Sequence, residues 1–322
     1  MVRWLMPCLA LLLQTAAVQA APLDLKSVNE AKFTDKRGKG VSPIILKAQV
    51  LLDRARFSPG LIDGRDGENF KKALAAFAKA NDLKADGRLT KELFDKLAST
   101  SSDPVLREHE IADAEVKGPF VDQIPAKMEE MAKLDRLSYK NALEALAEKF
   151  HMDDALLKAL NPGKAFEKPG TTILVANVKD EKAKEKVHKI AIDKTARALR
   201  ALDKDGKLVA FYPASVGSQE KPAPSGTHKV ERVAENPTYT YNPEYKFKGV
   251  DSEKAFTIKP GPNNPVGLVW IDLSIESYGI HGTPEPAKVG KSYSHGCVRL
   301  TNWDAKELAS MVDRGTPVEF VN

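Results

Sequence analysis

Cysteine is scarce in this 322-residue chain: only Cys8 and Cys297 occur. Two thiols exclude a disulfide scaffold and a four-cysteine zinc site. An excess of one charge is also missing. Lys and Arg number 49 against 44 Asp and Glu, a net charge of +5. That balance gives no reason to expect a nucleic-acid partner, which usually calls for concentrated Lys/Arg with interleaved aromatics. After the first twenty residues no stretch is long and apolar enough to span a bilayer, which takes about 20 apolar residues. What is present is an average hydrophobic content of 42%. The chain can therefore bury real cores, with room for two domains and a third small one.

The first twenty residues place Arg3 ahead of an apolar run from Trp4 to Leu13 and close on Val18-Gln19-Ala20. A positive start, a short apolar core and a small-x-Ala site make the pattern of a secretory signal peptide over residues 1–20. Cleavage after Ala20 would remove Cys8 and leave Cys297 as the single thiol. Exported compartments oxidise cysteine pairs, and a lone cysteine escapes intramolecular pairing. The expected location is the periplasm or cell envelope.

Residues 21–42 are polar and lysine-rich and read as a flexible lead. Helical spacing follows at Ile44, Ala48, Leu51, Leu52 and Ala55, then at Phe70, Leu74, Phe77 and Ala78, then at Leu93, Phe94 and Leu97 after a capping Thr90. Asp-Gly-Arg steps at Asp63 and Asp86 repeat a tight turn between these helices. Over residues 43–98 this resembles the small three-helix peptidoglycan-binding domain, with Asn69 where that family usually has Thr. Residues 99–135 read as a linker punctuated by Pro104, Gly118, Pro119 and Pro125. Residues 136–178 carry two short helix patterns, an Asn161-Pro162-Gly163 stop and a strand at Thr172–Val175. That order is similar to the glycan-binding LysM module, except that Tyr139-Lys140-Asn141 stands where a Gly-Asp turn is usual. Residues 179–186 form a charged connector. From 187 to 322 short β-type runs alternate with Gly and Pro, which argues an all-β sandwich or barrel closed by a helix near Trp303–Val312 and a strand at Pro317–Val321.

The chemistry concentrates in His281-Gly282-Thr283-Pro284 and Ser294-His295-Gly296-Cys297-Val298-Arg299-Leu300. A thiol becomes a strong nucleophile when a base or cation favours thiolate. An imidazole can take that proton and later return it to a leaving amine. Amides at Gly296 and Cys297 could face an oxyanion, and Arg299 could grip a carboxylate. Plainer readings stay open on these residues alone. Cys297 could be a small buried hydrophobe. His281, His295 and Cys297 could bind zinc, although the spacing is unusual and a fourth ligand is not evident. Arg299 could pair with Asp304 at the surface.

His-Gly-Thr followed by Ser-His-Gly-Cys-Val-Arg-Leu resembles the signature of the L,D-transpeptidase (YkuD-type) catalytic domain. Pro213-x-Ser215-x-Gly217 and Pro222-x-Pro224-x-Gly226-Thr227 resemble its upstream turns. The resemblance covers residues 187–322. It implies a multidomain chain: a mainly-β catalytic sandwich or barrel behind an all-α three-helix domain and a LysM-like α+β module. Cys297 would be the nucleophile and His281 the base, its ring oriented by a carbonyl near Gly282 or Thr283. Gly296, His295, Ser294 and Gly282 would shape the pocket and oxyanion site, and Arg299 would contact a donor carboxylate or brace the loop. The implied reaction is acyl transfer on peptidoglycan tetrapeptide stems, with loss of D-Ala and capture of the thioester by a second stem or an acceptor protein, without metal or cofactor. A binding-only wall protein, an L,D-carboxypeptidase on the same stems, and a papain- or NlpC-like peptidase are the competing readings. The last normally places its cysteine before its histidine, the reverse of the order here.

Overall fold

The computed structural model describes residues 23–35, 40–179, 185–218, 221–245, 250–294 and 296–322. The expected signal peptide, 1–20, lies outside them. Helix α1 (Leu25–Asn29) is closed by a capping box between Asp24 and Ser27. Within the lead expected to be flexible at 21–42, the described residues 23–35 are anchored, because Val28 is fully buried and the Asn29 amide exchanges two hydrogen bonds with the backbone of Leu106, at 3.0 and 2.8 Å. Helix α2 (Pro43–Arg54) starts on a proline, tolerated where no intrahelical N–H is needed. Helices α3 (Glu68–Ala80) and α4 (Lys91–Ala98) follow, the latter capped by Thr90. Both Asp-Gly-Arg steps form the same turn: the Asp63 and Asp86 carboxylates accept from the amides of Arg65 and Arg88, at 2.9 and 3.0 Å.

The next segment holds β1 (Leu106–Glu110), α5 (Asp113–Val116), α6 (Met128–Met131), α7 (Ala142–Lys149), α8 (Asp154–Leu160) and β2 (Thr172–Ala176). Strands β1 and β2 pair antiparallel, Leu106 opposite Ala176. The linker expected at 99–135 therefore contains a strand and two short helices. Arg54 is the reason its start cannot swing free. Its buried guanidinium donates to the carbonyls of Asn177, Asp103 and Pro104 and to Ser101 Oγ. Leaving any of those donors unpaired in the interior would cost about 1–3 kcal/mol. Asn161 ends α8 and fastens it to β2, bonding both the N–H and C=O of Leu174. One continuous apolar core runs from Val28 through α2–α4 to Val175 and Ala176. The helical domain and the following module thus share an interior.

The C-terminal domain contains β3 (Lys189–Asp193), β4 (Ala198–Leu202), β5 (Leu208–Pro213), β6 (Ser215–Val216), β7 (Gly226–Glu235), β8 (Tyr239–Tyr241), β9 (Phe256–Ile258), β10 (Val269–Leu273), β11 (Gly279–His281), β12 (Val298–Arg299), α9 (Asn302–Met311) and β13 (Pro317–Val321). Nine of the strands form one sheet in the order β5-β4-β3-β13-β7-β10-β11-β12-β6, and β8-β9 is a separate hairpin. Strands β5 and β6 stand at opposite edges of that order, yet only Ala214 separates them. A single residue spans only a few ångströms, so the sheet must curl until its edges meet. The result is barrel-like, filled by Ile190, Leu199, Val230, Ile271, Ile280 and Val298 together with Leu308 and Met311 of α9.

The two halves meet along α9. Ser58 Oγ donates to Asp304 at 3.0 Å, and His151 stacks on Trp303 with ring centres 5.0 Å apart. Burial pushes the Asp304 carboxyl up to about 8. In the unfolded chain it releases its proton near pH 4. The folded state therefore binds the extra proton between those values, and this group's contribution to stability is lost as pH rises through 8. Asp304→Asn, which stays neutral and still accepts from Ser58, is expected to remove that loss. Melting temperatures followed from pH 5 to 9 should fall further in the native chain than in the variant. Parallel curves would refute this.

Candidate active site

The site is built on a parallel strand pair. In β11 and β12, Ile280 lies level with Val298 and His281 with Arg299, which puts Gly279 level with Cys297. Side chains alternate along strands. Ile280 and Val298 point into the barrel core, where both are buried. Cys297, Arg299 and His281 therefore share the opposite face. The same row continues sideways, because Trp270 pairs with His281 and Ser215 pairs with Arg299. Trp270, His281, Arg299 and Ser215 thus form one line across four strands.

His281 is 5% exposed, and Trp270 stacks on its ring at 5.5 Å and 18°. Its Nδ1 lies 2.6 Å from the carbonyl of Gly282. A carbonyl only accepts, so Nδ1 carries the proton and Nε2 is left as the basic nitrogen. Burial, helped by the charge of Arg299, pushes the imidazole down to about 3. The ring is neutral over the ordinary pH range.

Cys297 is half-buried and reduced, with Sγ 3.6 Å from the carbonyl of Ser277. Burial pushes its thiol up, while the Gly279 amide and the charges of Arg299 and Lys221 act the other way. At rest the thiol and the imidazole on this face are both neutral. Gly296 adopts φ +112, and a Cβ there would lie 2.9 Å from the Tyr278 ring. Only glycine suits that conformation and that space. Ser294 donates from Oγ to the carbonyl of Cys297 and from its amide to Gly217 O at 3.0 Å, tying the motif loop down at two points. Among the described residues the buried Arg299 Nε has no hydrogen-bond partner, a donor left for an acceptor group. His295 lies outside the described residues.

The competing reading, a surface ion pair of Arg299 with Asp304, is not met, since Asp304 is buried. Asp304 is turned to the other side of the motif, buried against Ser58 and capped by Thr301. Glu285 is the acid whose charge acts on Arg299. Sequence reasoning also passed over Trp270, Asn302, Tyr239 and Glu148. Asn302 is 1% exposed and bonds four residues on three segments, Glu148, the β9–β10 loop at Pro262 and Leu268, and Thr283. Tyr239 lies close enough for the charge of Cys297 to help raise its phenol, with burial the larger cause, to about 12. No local pattern marks these residues. Asn69, the departure from the helical family's usual Thr, has a visible use: its Nδ2 donates to Val289 O at 2.8 Å, in the loop that borders the site. Ser215 holds the same loop through Gly290 N.

The family model for the L,D-transpeptidase catalytic domain matches residues 188–320. A second model, for a peptidoglycan binding domain, matches residues 42–97. The L,D-transpeptidase YkuD of Bacillus licheniformis is 32% identical over 180 residues, covering 55% of this chain and 92% of that protein. The chain belongs to the L,D-transpeptidase family. The Escherichia coli K12 L,D-transpeptidase YbiS is 33% identical over 188 residues, or 56% of this chain and 60% of the relative. The mainly-β barrel behind a helical region is the multidomain architecture expected of this L,D-transpeptidase. Among the described residues no helix is long and apolar enough to cross a membrane.

Proposed function

We propose that this L,D-transpeptidase is exported to the periplasm by a cleaved signal at residues 1–20 and cross-links peptidoglycan stems through a thioester on Cys297. The observation that carries the reading is the shared β11–β12 face: a thiol, a neutral imidazole with Nε2 as its basic nitrogen, and an arginine whose buried Nε has no hydrogen-bond partner among the described residues. Cys297 Sγ attacks the carbonyl of the third stem residue as its proton passes to His281 Nε2. The amides of Gly296 and Cys297 face the oxyanion. The carbon–nitrogen bond breaks, D-Ala leaves with the proton returned by His281, and the thioester remains. An amine from a second stem attacks it, giving a 3→3 cross-link and the free thiol. Arg299 holds a donor carboxylate, with Ser294 and Gly282 shaping the pocket; His295 is assigned a pocket role on the family pattern. The energy of the broken amide is carried into the new one, so no cofactor is required.

The helical domain at 43–98 would hold the enzyme on peptidoglycan, and the LysM-like module at 136–178 would contact glycan. A protein amine is the alternative acceptor. The test is incubation of the full chain with purified tetrapeptide muropeptides, followed by mass spectrometry. A donor adduct on Cys297 and a 3→3 dimer are expected. Release of D-Ala without dimers would make the protein an L,D-carboxypeptidase, and no turnover alongside sacculus binding would make it a binding protein.

A further inference from the structure

His281 is oriented by one carbonyl, that of Gly282. This carbonyl shares a rigid planar peptide unit with the N–H of Thr283, so whatever fixes the N–H fixes the carbonyl too. The Thr283 N–H donates to Asn302 Oδ1 at 3.1 Å. The same oxygen accepts from Leu268 N at 3.0 Å. There is no slack around it: a Cβ on Gly267 or Gly282 would lie 2.0 or 2.2 Å from this oxygen. On its other side, Asn302 Nδ2 donates to both carboxylate oxygens of Glu148, at 3.1 Å each, and to Pro262 O at 3.3 Å. Glu148 belongs to α7, in the N-terminal half, 154 positions away in sequence. Its carboxylate is held in turn by the Tyr139 hydroxyl at 2.8 Å.

These bonds form one chain: Tyr139 to Glu148 to Asn302 to the 282–283 peptide to the imidazole. We propose that Asn302 is a positioning residue for His281 and that Glu148 of the module before the barrel holds Asn302 in register. The N-terminal half then sets the orientation of the base as well as contacting the wall. The inference rests on His281 acting as the base under the reading above. With the brace removed, the peptide plane can rotate, the imidazole loses its single acceptor at Nδ1, and Nε2 drifts from the thiol. A misplacement of about 1 Å costs about a hundredfold in rate.

The test uses the full chain with Asn302→Ala, Glu148→Ala and Glu148→Gln. The last keeps an acceptor oxygen toward the Asn302 amide. Asn302→Ala should lower kcat about tenfold to a hundredfold with KM within about twofold. Glu148→Ala should move kcat the same way by less, and Glu148→Gln should restore it. Nitrogen NMR of the His281 ring supplies a readout that needs no substrate. One Nδ1–H tautomer is expected in the native chain and in Glu148→Gln, and a mixture of tautomers in the two alanine variants. Because the ring signal is independent of turnover, failure of the stem-transfer reading would leave this result standing. Native ring signals and native kcat in Asn302→Ala would overturn the proposal. So would a loss of activity that follows melting temperature alone while the ring signals stay native. If Asn302→Ala does not fold, the Glu148→Ala and Glu148→Gln pair decides in the same terms.

Discussion

Replacing Cys297 by Ala is expected to lower dimer formation from tetrapeptide muropeptides by at least about a thousandfold, because the acyl group then has no sulfur to rest on. The fold should survive. Cys297 is half-buried, its Sγ 3.6 Å from Ser277 O, and the Gly279 amide and the charges of Arg299 and Lys221 act on the sulfur. Alanine occupies nearly the same space, and the strand pairing at Val298 and Arg299 uses backbone only. A native melting temperature with no adduct and no dimer is therefore the predicted pair of results. A Cys297→Ala protein that still forms dimers would remove the thioester mechanism outright.

His281→Gln is the second large effect. Glutamine can still donate to the Gly282 carbonyl, but it supplies no basic nitrogen, and loss of a positioned base typically costs about 10²–10⁴-fold. The pH profile separates this role from a structural one. Burial holds the native imidazole down to about 3 and the thiol above its ordinary value. Acylation of the native enzyme by a donor stem, measured without acceptor, should therefore show no limb near pH 6.5. In the variant the thiol must ionise unaided. Its acylation rate should climb about tenfold per pH unit while the thiol remains mostly protonated. A native profile with a limb near 6.5, or a variant whose rate is flat with pH, would contradict the assignment.

Much of the architecture was legible from local pattern. Stripes such as Phe70, Leu74 and Phe77 depend on residues three and four apart, and the Asp63 and Asp86 turns depend on an oxygen two residues from its partner N–H. The same holds for the cap at Thr90. The linker at 99–135 was misread because β1 is short, half-exposed and mostly charged, Leu106-Arg107-Glu108-His109-Glu110. It is a strand by virtue of its pairing with β2, which lies more than sixty positions later. The anchored part of the lead was missed for the same cause: Asn29 has a partner only once Leu106 has been brought beside it.

The sequence by itself determined which reactive groups this protein brings together, because the thiol, the imidazole, the guanidinium and their glycines are packed into two short motifs whose spacing is local. Tertiary structure decided which states those groups occupy. Burial under Trp270 keeps His281 neutral, and the Gly282 carbonyl selects its tautomer. Arg299 faces the site rather than Asp304, because the parallel register places it beside His281 while Asp304 is drawn across the domain boundary to Ser58. Hydrogen bonds and desolvation act between atoms close in space, and residues as distant in sequence as Glu148 and Asn302 become neighbours only when the barrel and the N-terminal core have both closed.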